Sequence, residues 1–144
     1  MLYRTDSLSP VPSLSFILFH MRVFFDCIII VALHIYFNQT KPFEFLTWEL
    51  GYIFNPKYYG NGYATEACRR ILQYGFEVLK VHRVIAMCNP ENNSSWELLE
   101  RLLMRREGHH MKKAFFHKNN EGQPIWHDAY QYAILAEEWI SKGQ

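Results

Sequence analysis

Small and apolar residues recur at Ala64, Ala67, Cys68, Ile71, Leu72, Gly75, Phe76 and Leu79, the i, i+3, i+4 spacing of a helix with one buried face. This predicts a helix from Gly62 to Lys80. Ahead of it, "FLTWELGYIF", Phe45 to Phe54, reads as a strand, and Asn55-Pro56 stops it. Behind it, "RVIAMC", Arg83 to Cys88, is short and apolar enough for a buried strand. "NPENNSS" then leads into a second helix, Trp96 to Met104, where Ser94-x-x-Glu97 offers a capping box. A hairpin closes the pattern, with strands near Gly108–Lys118 and Trp126–Leu135 around the turn "NNEGQP". The order strand, helix, strand, helix, strand, strand predicts an α/β domain without internal repeats.

The first third of the chain follows a different pattern. Residues 1 to 14 are rich in Ser and Pro and predict irregular structure. Phe16 to Phe37 is a long apolar run, and "NQTKPFE" after it reads as a loop. The run has the length of a membrane helix. Its Ile, Phe and Leu side chains gain roughly 0.3–0.6 kcal/mol each on an insertion scale, while Arg22 and Asp26 each cost roughly 2.5–3.5, so the sum falls near zero. β-branched and aromatic residues favour one or two buried strands, with a membrane or interfacial anchor as the alternative. A cleavable signal peptide fits poorly, because the charged start is weak and no small-residue cleavage site follows.

Composition narrows the possibilities further. A chain of 144 residues, 49% hydrophobic, can bury one real core. A net charge of +1 argues against nucleic-acid binding by bulk charge. The three cysteines, Cys27, Cys68 and Cys88, show no CxxC pairing. That argues against a disulfide framework or zinc site and for a reduced, cytoplasmic setting. His109 and His110 are adjacent, so on a strand they point to opposite faces rather than chelating.

Chemistry concentrates at "YYGNGYATEA", residues 58 to 67. Gly60 and Gly62 let the main chain approach a ligand, and the helix start behind them offers unpaired N–H groups to an anion. Two glycines by themselves also fit a tight turn. A dinucleotide fingerprint is absent, since its third glycine is missing, and the Gly-Lys-Ser/Thr ending of a Walker loop is absent too.

Three longer stretches, "WELGYIFNPKYYGNGYATEA", "HRVIAMCNPENNSSWELLERLLMRREGHH" and "PIWHDAYQYAIL", together resemble the GNAT acetyltransferases, nearest to the ribosomal-protein N-acetyltransferase branch. The resemblance runs from about Trp48 to Trp139 and implies an acetyl-CoA-binding domain over residues 45–140 behind an atypical apolar segment, 1–44. It implies a mixed central sheet with helices on both faces. The family signature falls on Tyr59-Gly60-Asn61-Gly62-Tyr63-Ala64, with Tyr59 in the place of a Gln or Arg. By resemblance this loop, with Thr65 behind it, holds the pyrophosphate of acetyl-CoA through backbone amides. The strand backbone at Ile53 and Phe54 polarises the acetyl carbonyl, as an oxyanion donor does. Asn92 meets the pantetheine arm.

The resemblance also assigns catalytic roles. An attacking alkyl ammonium, pKa near ~10, must lose its proton, so a general base is useful, and Glu49 stands where the family often places one. Its bland reading is a solvent-facing edge residue or an ion-pair partner. Ser95 lies, by resemblance, near the thioester sulfur. The tyrosine that many members use to protonate the leaving thiolate corresponds here to Leu99, and the glycine before the Met or Phe of "LGF" corresponds to Leu103. Asp128 reads as a hairpin tie and His127 as a weak candidate. Arg105, Arg106, Lys112 and Lys113 form a solvated basic face, or a site for the 3′-phosphate of coenzyme A or an acidic substrate.

A family domain opens with a strand, two helices and a hairpin, and the residues before "WELGYIF" show none of them. The expected function is N-acetyl transfer from acetyl-CoA, without a metal, to a primary amine such as a protein N-terminus or a small molecule. A catalytically impaired CoA-binding fragment and a membrane-anchored version are the alternatives. A homodimer stays open.

Overall fold

The computed structural model describes residues 33–142. Five strands form one mixed sheet: β1 (Leu33–Gln39), β2 (Thr47–Phe54), β3 (Arg83–Cys88), β4 (Arg105–Lys118) and β5 (Pro124–Leu135). Their spatial order is β1-β2-β3-β5-β4, with β2 and β3 parallel and every other pair antiparallel. Helix α1 (Tyr63–Glu77) makes the crossover between the parallel strands. Helix α2 (Asn93–Arg101) follows β3, and α3 (Ala136–Lys142) follows β5. The α/β expectation and the order of its elements hold.

Period-two alternation sets which residues face the helices. Trp48 and Leu50 are buried on β2, Val84 and Ala86 on β3, Tyr132 and Ile134 on β5, and Phe37 on β1. All three helices pack on this one face. Phe37 lies under Gly75 of α1, Tyr132 donates to Glu100 of α2 at 3.0 Å, and Trp139 of α3 stacks on Phe76. Among the described residues, therefore, one of the two expected faces carries helices.

Sequence and structure differ at several boundaries. Helix α2 begins at Asn93, three residues before the expected Trp96, because Asn92 is the cap rather than Ser94. The Asn92 Oδ1 accepts the Ser95 N–H at 3.1 Å, which satisfies one of the orphan donors of the first turn. Strand β2 starts at Thr47, since Phe43–Phe45 form a short 3-10 turn. Helix α3 was not anticipated; Glu137 and Glu138 occupy its first turn, and Glu138 accepts the Leu135 N–H at 2.9 Å. The expected turn after β4 is built on Asn119, whose side chain accepts from Glu121 and Gln123. Leu103 has φ 64, the left-handed region in which the expected glycine would fit better.

The front hairpin, which no turn signal announced, is present. β1 and β2 pair from Leu33↔Phe54 to Gln39↔Trp48 around a loop in which Thr40 N–H meets the Thr47 carbonyl at 2.8 Å. The end of the apolar run, read as one or two buried strands, is thus a strand. The rest of that run and the anchor reading attached to it lie outside the described residues. No helix among the described residues is long and apolar enough to cross a membrane.

Gly75 shows what fixes β1 beneath α1. A β-carbon there would lie 2.8 Å from the ring of Phe37, which is 2% exposed and cannot swing away. Alanine in mid-helix gains about 0.5–1 kcal/mol over glycine, whereas overpacking a closed core costs about 1–3. The second effect prevails. Gly75→Ala is expected to destabilise the fold by about 1 kcal/mol, read from the urea midpoint at unchanged m.

Candidate active site

The loop from β2 to α1 gives its backbone to the outside. Asn55 opens it by accepting the Lys57 N–H at 3.0 Å, and Pro56–Tyr58 make one 3-10 turn. Gly60 and Gly62 then take φ of 80° and 79°, which an L side chain rarely adopts, and a β-carbon on either would meet nothing within 4 Å. The first helical bond of α1 is Glu66 N–H to the Gly62 carbonyl at 3.0 Å. The amides of Tyr63, Ala64 and Thr65 therefore have no acceptor within the helix. Nor does any described acceptor take the amides of Gly60, Asn61 or Gly62. Six consecutive N–H donors at the positive end of a 15-residue helix suit an anion with several oxygens.

Two residues of the expected set serve differently. The Tyr59 N–H is taken by Pro56 at 3.1 Å and its hydroxyl reaches the Phe54 carbonyl at 3.4 Å, so both its donors shape the loop. The Asn61 side chain likewise bonds the carbonyls of Tyr58 and Tyr59, leaving its main chain as its outward donor.

A split in the sheet begins beside this loop. β2 pairs with β3 only from Thr47↔Arg83 to Glu49↔Ile85. From Leu50 to Phe54 it keeps β1 on one side and, among the described residues, has no strand on the other. Alternate main-chain groups of that stretch, the expected Ile53 and Phe54 segment included, face the gap.

Glu49, the last residue of β2 paired with β3, sits where the gap opens, on the face away from the helices. The Tyr36 hydroxyl reaches its Oε1 at 3.4 Å. The Tyr36 ring lies across Gly51, where a β-carbon would come within 2.0 Å of it. Partial burial, then the Glu49 carboxylate beside it, raise the Tyr36 pKa. On the helix face, Ser95 is held by the Asn92 cap, and its Oγ lies 3.0 Å from the Tyr52 hydroxyl. The Tyr52 hydroxyl also donates to the Ser95 carbonyl at 3.0 Å. The sheet separates Glu49 from Ser95, and no bond joins them. Leu99 is 0% exposed, so the place of the family's tyrosine belongs to the core.

Sequence reading missed Tyr36 and Tyr52. Tyr36 was absorbed in the apolar run. Tyr52 had a signal, for it alternates with Trp48 and Leu50 onto the buried face, and a buried phenol requires a partner. The remaining candidates are structural. Asp128 accepts from the Lys112 amide at 2.8 Å and bonds His109 at 2.9 Å across the β4–β5 hairpin. The His127 ring packs on Phe116. Arg105 pairs with Glu107 and Glu138, and Arg106 covers the Tyr130 ring, so those two are not free for a phosphate. No group of His, Cys, Asp and Glu suited to a metal occurs among the described residues.

Residues 29–105, more than half of the chain, match the acetyltransferase (GNAT) domain. The chain belongs to the GNAT acetyltransferase family. It is 46% identical over 115 residues to the uncharacterized N-acetyltransferase YnaD of Bacillus subtilis, covering 79% of this chain and 61% of that protein. The crystal structure of a GNAT-family acetyltransferase from Bacillus anthracis superposes with TM-score 0.63 at 47% identity, over 74% of this chain and 59% of that one. FsC-acetyl coenzyme A-N(2)-transacetylase of Aspergillus fumigatus is 33% identical over 72% of this chain and 42% of its own. The chain thus spans about three fifths of the first two relatives. The GNAT match starts at residue 29, ahead of the expected 45, and so takes in β1.

Several buried groups of this GNAT domain resist ionisation. Burial pushes the Cys68 thiol up to about 12 and the Cys88 thiol to about 11, the latter against Arg106 and Ser95. Burial, then the Glu100 carboxylate, raise Tyr132 to about 12. Raised folded-state values mean stability that is complete below about pH 9, the thiols' ordinary value, and lost as pH climbs through 11 to 12. The melting temperature is expected to fall steadily across that window, measured by circular dichroism.

Proposed function

We propose that this chain binds acetyl-CoA and transfers its acetyl group to a primary amine. The observation that carries this reading is the run of unpaired amides from Gly60 to Thr65 opening beside the β2–β3 gap. The amides would hold the pyrophosphate, and the free edge of β2 would hold the pantetheine amides as an added strand would. Bound there, acetyl-CoA supplies an activated acyl thioester. Glu49 stands at the narrow end of the gap, where it can take a proton from an incoming ammonium, with the Tyr36 hydroxyl fixing its orientation. A protein N-terminus or a small-molecule amine fits this scheme equally. A reduced, cytoplasmic setting suits the buried free thiols of Cys68 and Cys88.

One observation favours a second reading, a CoA-binding fragment without turnover. The described residues put no helix on the Glu49 face of the sheet. Calorimetric titration decides the shared premise. Acetyl-CoA is expected to bind in the micromolar range, about −8 kcal/mol, and Gly62→Trp is expected to abolish binding. No binding to folded wild type would overturn both readings.

Turnover separates them. Release of free CoA in the presence of a panel of peptide and small amines supports the enzyme, and binding without release supports the fragment. In an active sample Glu49→Gln is expected to lower kcat by about 10²-fold or more while the acetyl-CoA Kd stays within about twofold. Equal losses in Kd would assign Glu49 to structure instead.

A further inference from the structure

β2 and β3 run parallel in one register from Thr47↔Arg83 to Glu49↔Ile85 and then part. Carried three residues further, that register would set Tyr52 opposite Cys88, the last residue of β3. Instead a third element stands there. The Tyr52 hydroxyl donates to the Ser95 carbonyl of α2 at 3.0 Å and lies 3.0 Å from Ser95 Oγ. Ser95 also hydrogen-bonds the Cys88 thiol, and the Asn92 cap holds its amide. One residue of α2 thus meets both strands at the level where they have stopped meeting each other.

The protons at this junction can all be placed. A phenol has one proton, and the geometry gives it to the Ser95 carbonyl. The serine proton then goes to the Tyr52 oxygen, and the thiol of Cys88, a weak donor, turns to Ser95 Oγ. Tyr52 and Ser95 are therefore joined by two bonds, and neither has a donor left for a ligand. Burial pushes the Tyr52 phenol far above its ordinary range, so its proton stays in place. Its ring is steadied by Phe54, 5.1 Å away between centroids.

Building on the function proposed above, we infer that Tyr52, Ser95 and Cys88 form a spacer that fixes the width of the β2–β3 gap, with Tyr52 as the positioning residue. Its effect is to keep the free edge of β2 ready for the pantetheine amides. Two parted strands leave main-chain groups unpaired, and the nearest partners for those groups lie on the other strand. Something must oppose that re-pairing while the gap is empty. β1 cannot, because it bonds the other edge of β2. The Ser95 carbonyl can, because it belongs to the backbone of α2. The Tyr52 bond to it ties β2 to the frame of that helix and not to a mobile side chain. A gap already set to width has little ordering cost to meet when a ligand enters.

The bond count predicts graded losses. Ser95→Ala removes one of the two bonds, Tyr52→Phe removes both, and the double variant has nothing further to lose. Acetyl-CoA and ADP serve as probes, since ADP carries a pyrophosphate and no pantetheine. Each is titrated onto isotope-labelled protein, and amide resonances are followed by NMR. In wild type, acetyl-CoA is expected to shift the amides of residues 60–65 and 51–54, and ADP only the first set. Tyr52→Phe and the double variant should weaken acetyl-CoA by about tenfold and Ser95→Ala by about threefold. ADP affinity should stay within about twofold throughout. Without ligand, the amides of residues 51–54 should broaden in Tyr52→Phe as the gap loses its fixed width. Should Tyr52→Phe fail to fold, Ser95→Ala carries the same comparison. Equal losses for both probes, or an unchanged acetyl-CoA affinity, overturn the spacer, and so does a Ser95→Ala loss as large as that of Tyr52→Phe. Failure of folded wild type to bind acetyl-CoA overturns the function proposed above. The ligand-free amides then judge the spacer alone, and an unchanged spectrum in Tyr52→Phe overturns it.

Discussion

Everything at the candidate site depends on the parting of two parallel strands. β2 and β3 share only three register pairs, Thr47 to Glu49 against Arg83 to Ile85, before they separate. In a closed sheet the main-chain groups from Leu50 to Phe54 would bond β3 and be unavailable to a ligand. Separation leaves them exposed along a gap, and an unpaired edge is costly unless something covers it. β1 keeps β2 extended through that stretch by pairing with all of it up to Phe54. The hairpin between β1 and β2 is therefore what allows a strand to leave its other neighbour without losing its shape.

The same parting places the three chemical parts. The C-terminal end of β2 feeds the loop of Gly60 and Gly62, so the run of unpaired amides lies at the open end of the gap. Glu49, the last residue paired with β3, marks the narrow end on one face. Tyr52, three residues on, points to the other face and meets Ser95 at the start of α2. Strand alternation makes this division automatic, because residues 49 and 52 differ by an odd number. A carboxylate and a pair of hydroxyls thus stand on opposite faces of the same strand.

Core packing supports this arrangement through α1. The helix that presents the amides is the one whose far end closes over Phe37 and Trp139. Its position is set by apolar contacts along its length, and the amide-bearing turn inherits that position without side-chain capping. Gly62 leaves the helix start bare, where Asn92 at the start of α2 fills its own. The two helix starts thus differ: the first turn of α1 has no side-chain cap, and that of α2 is tied to Asn92.

Much of this was legible in the sequence because it is written in local rules. Helix periodicity gave α1 to within a few residues, Asn55-Pro56 ended β2, and the glycine pair announced an exposed backbone. The residue types of the loop decided that an anion could be held, since that depends on main-chain freedom over a few consecutive positions. What the sequence left open required contacts between distant segments. The hairpin from β1 to β2 has no glycine turn, and Tyr36 was hidden in an apolar run until pairing set it across Gly51 from Glu49. Tyr52 and Ser95 are 43 residues apart, and only the packing of α2 on β2 brings them together. Asn92 and Ser94 both have side chains able to cap α2, and the structure uses Asn92. Local chemistry named the parts, and the parting of β2 from β3 decided which faced one another.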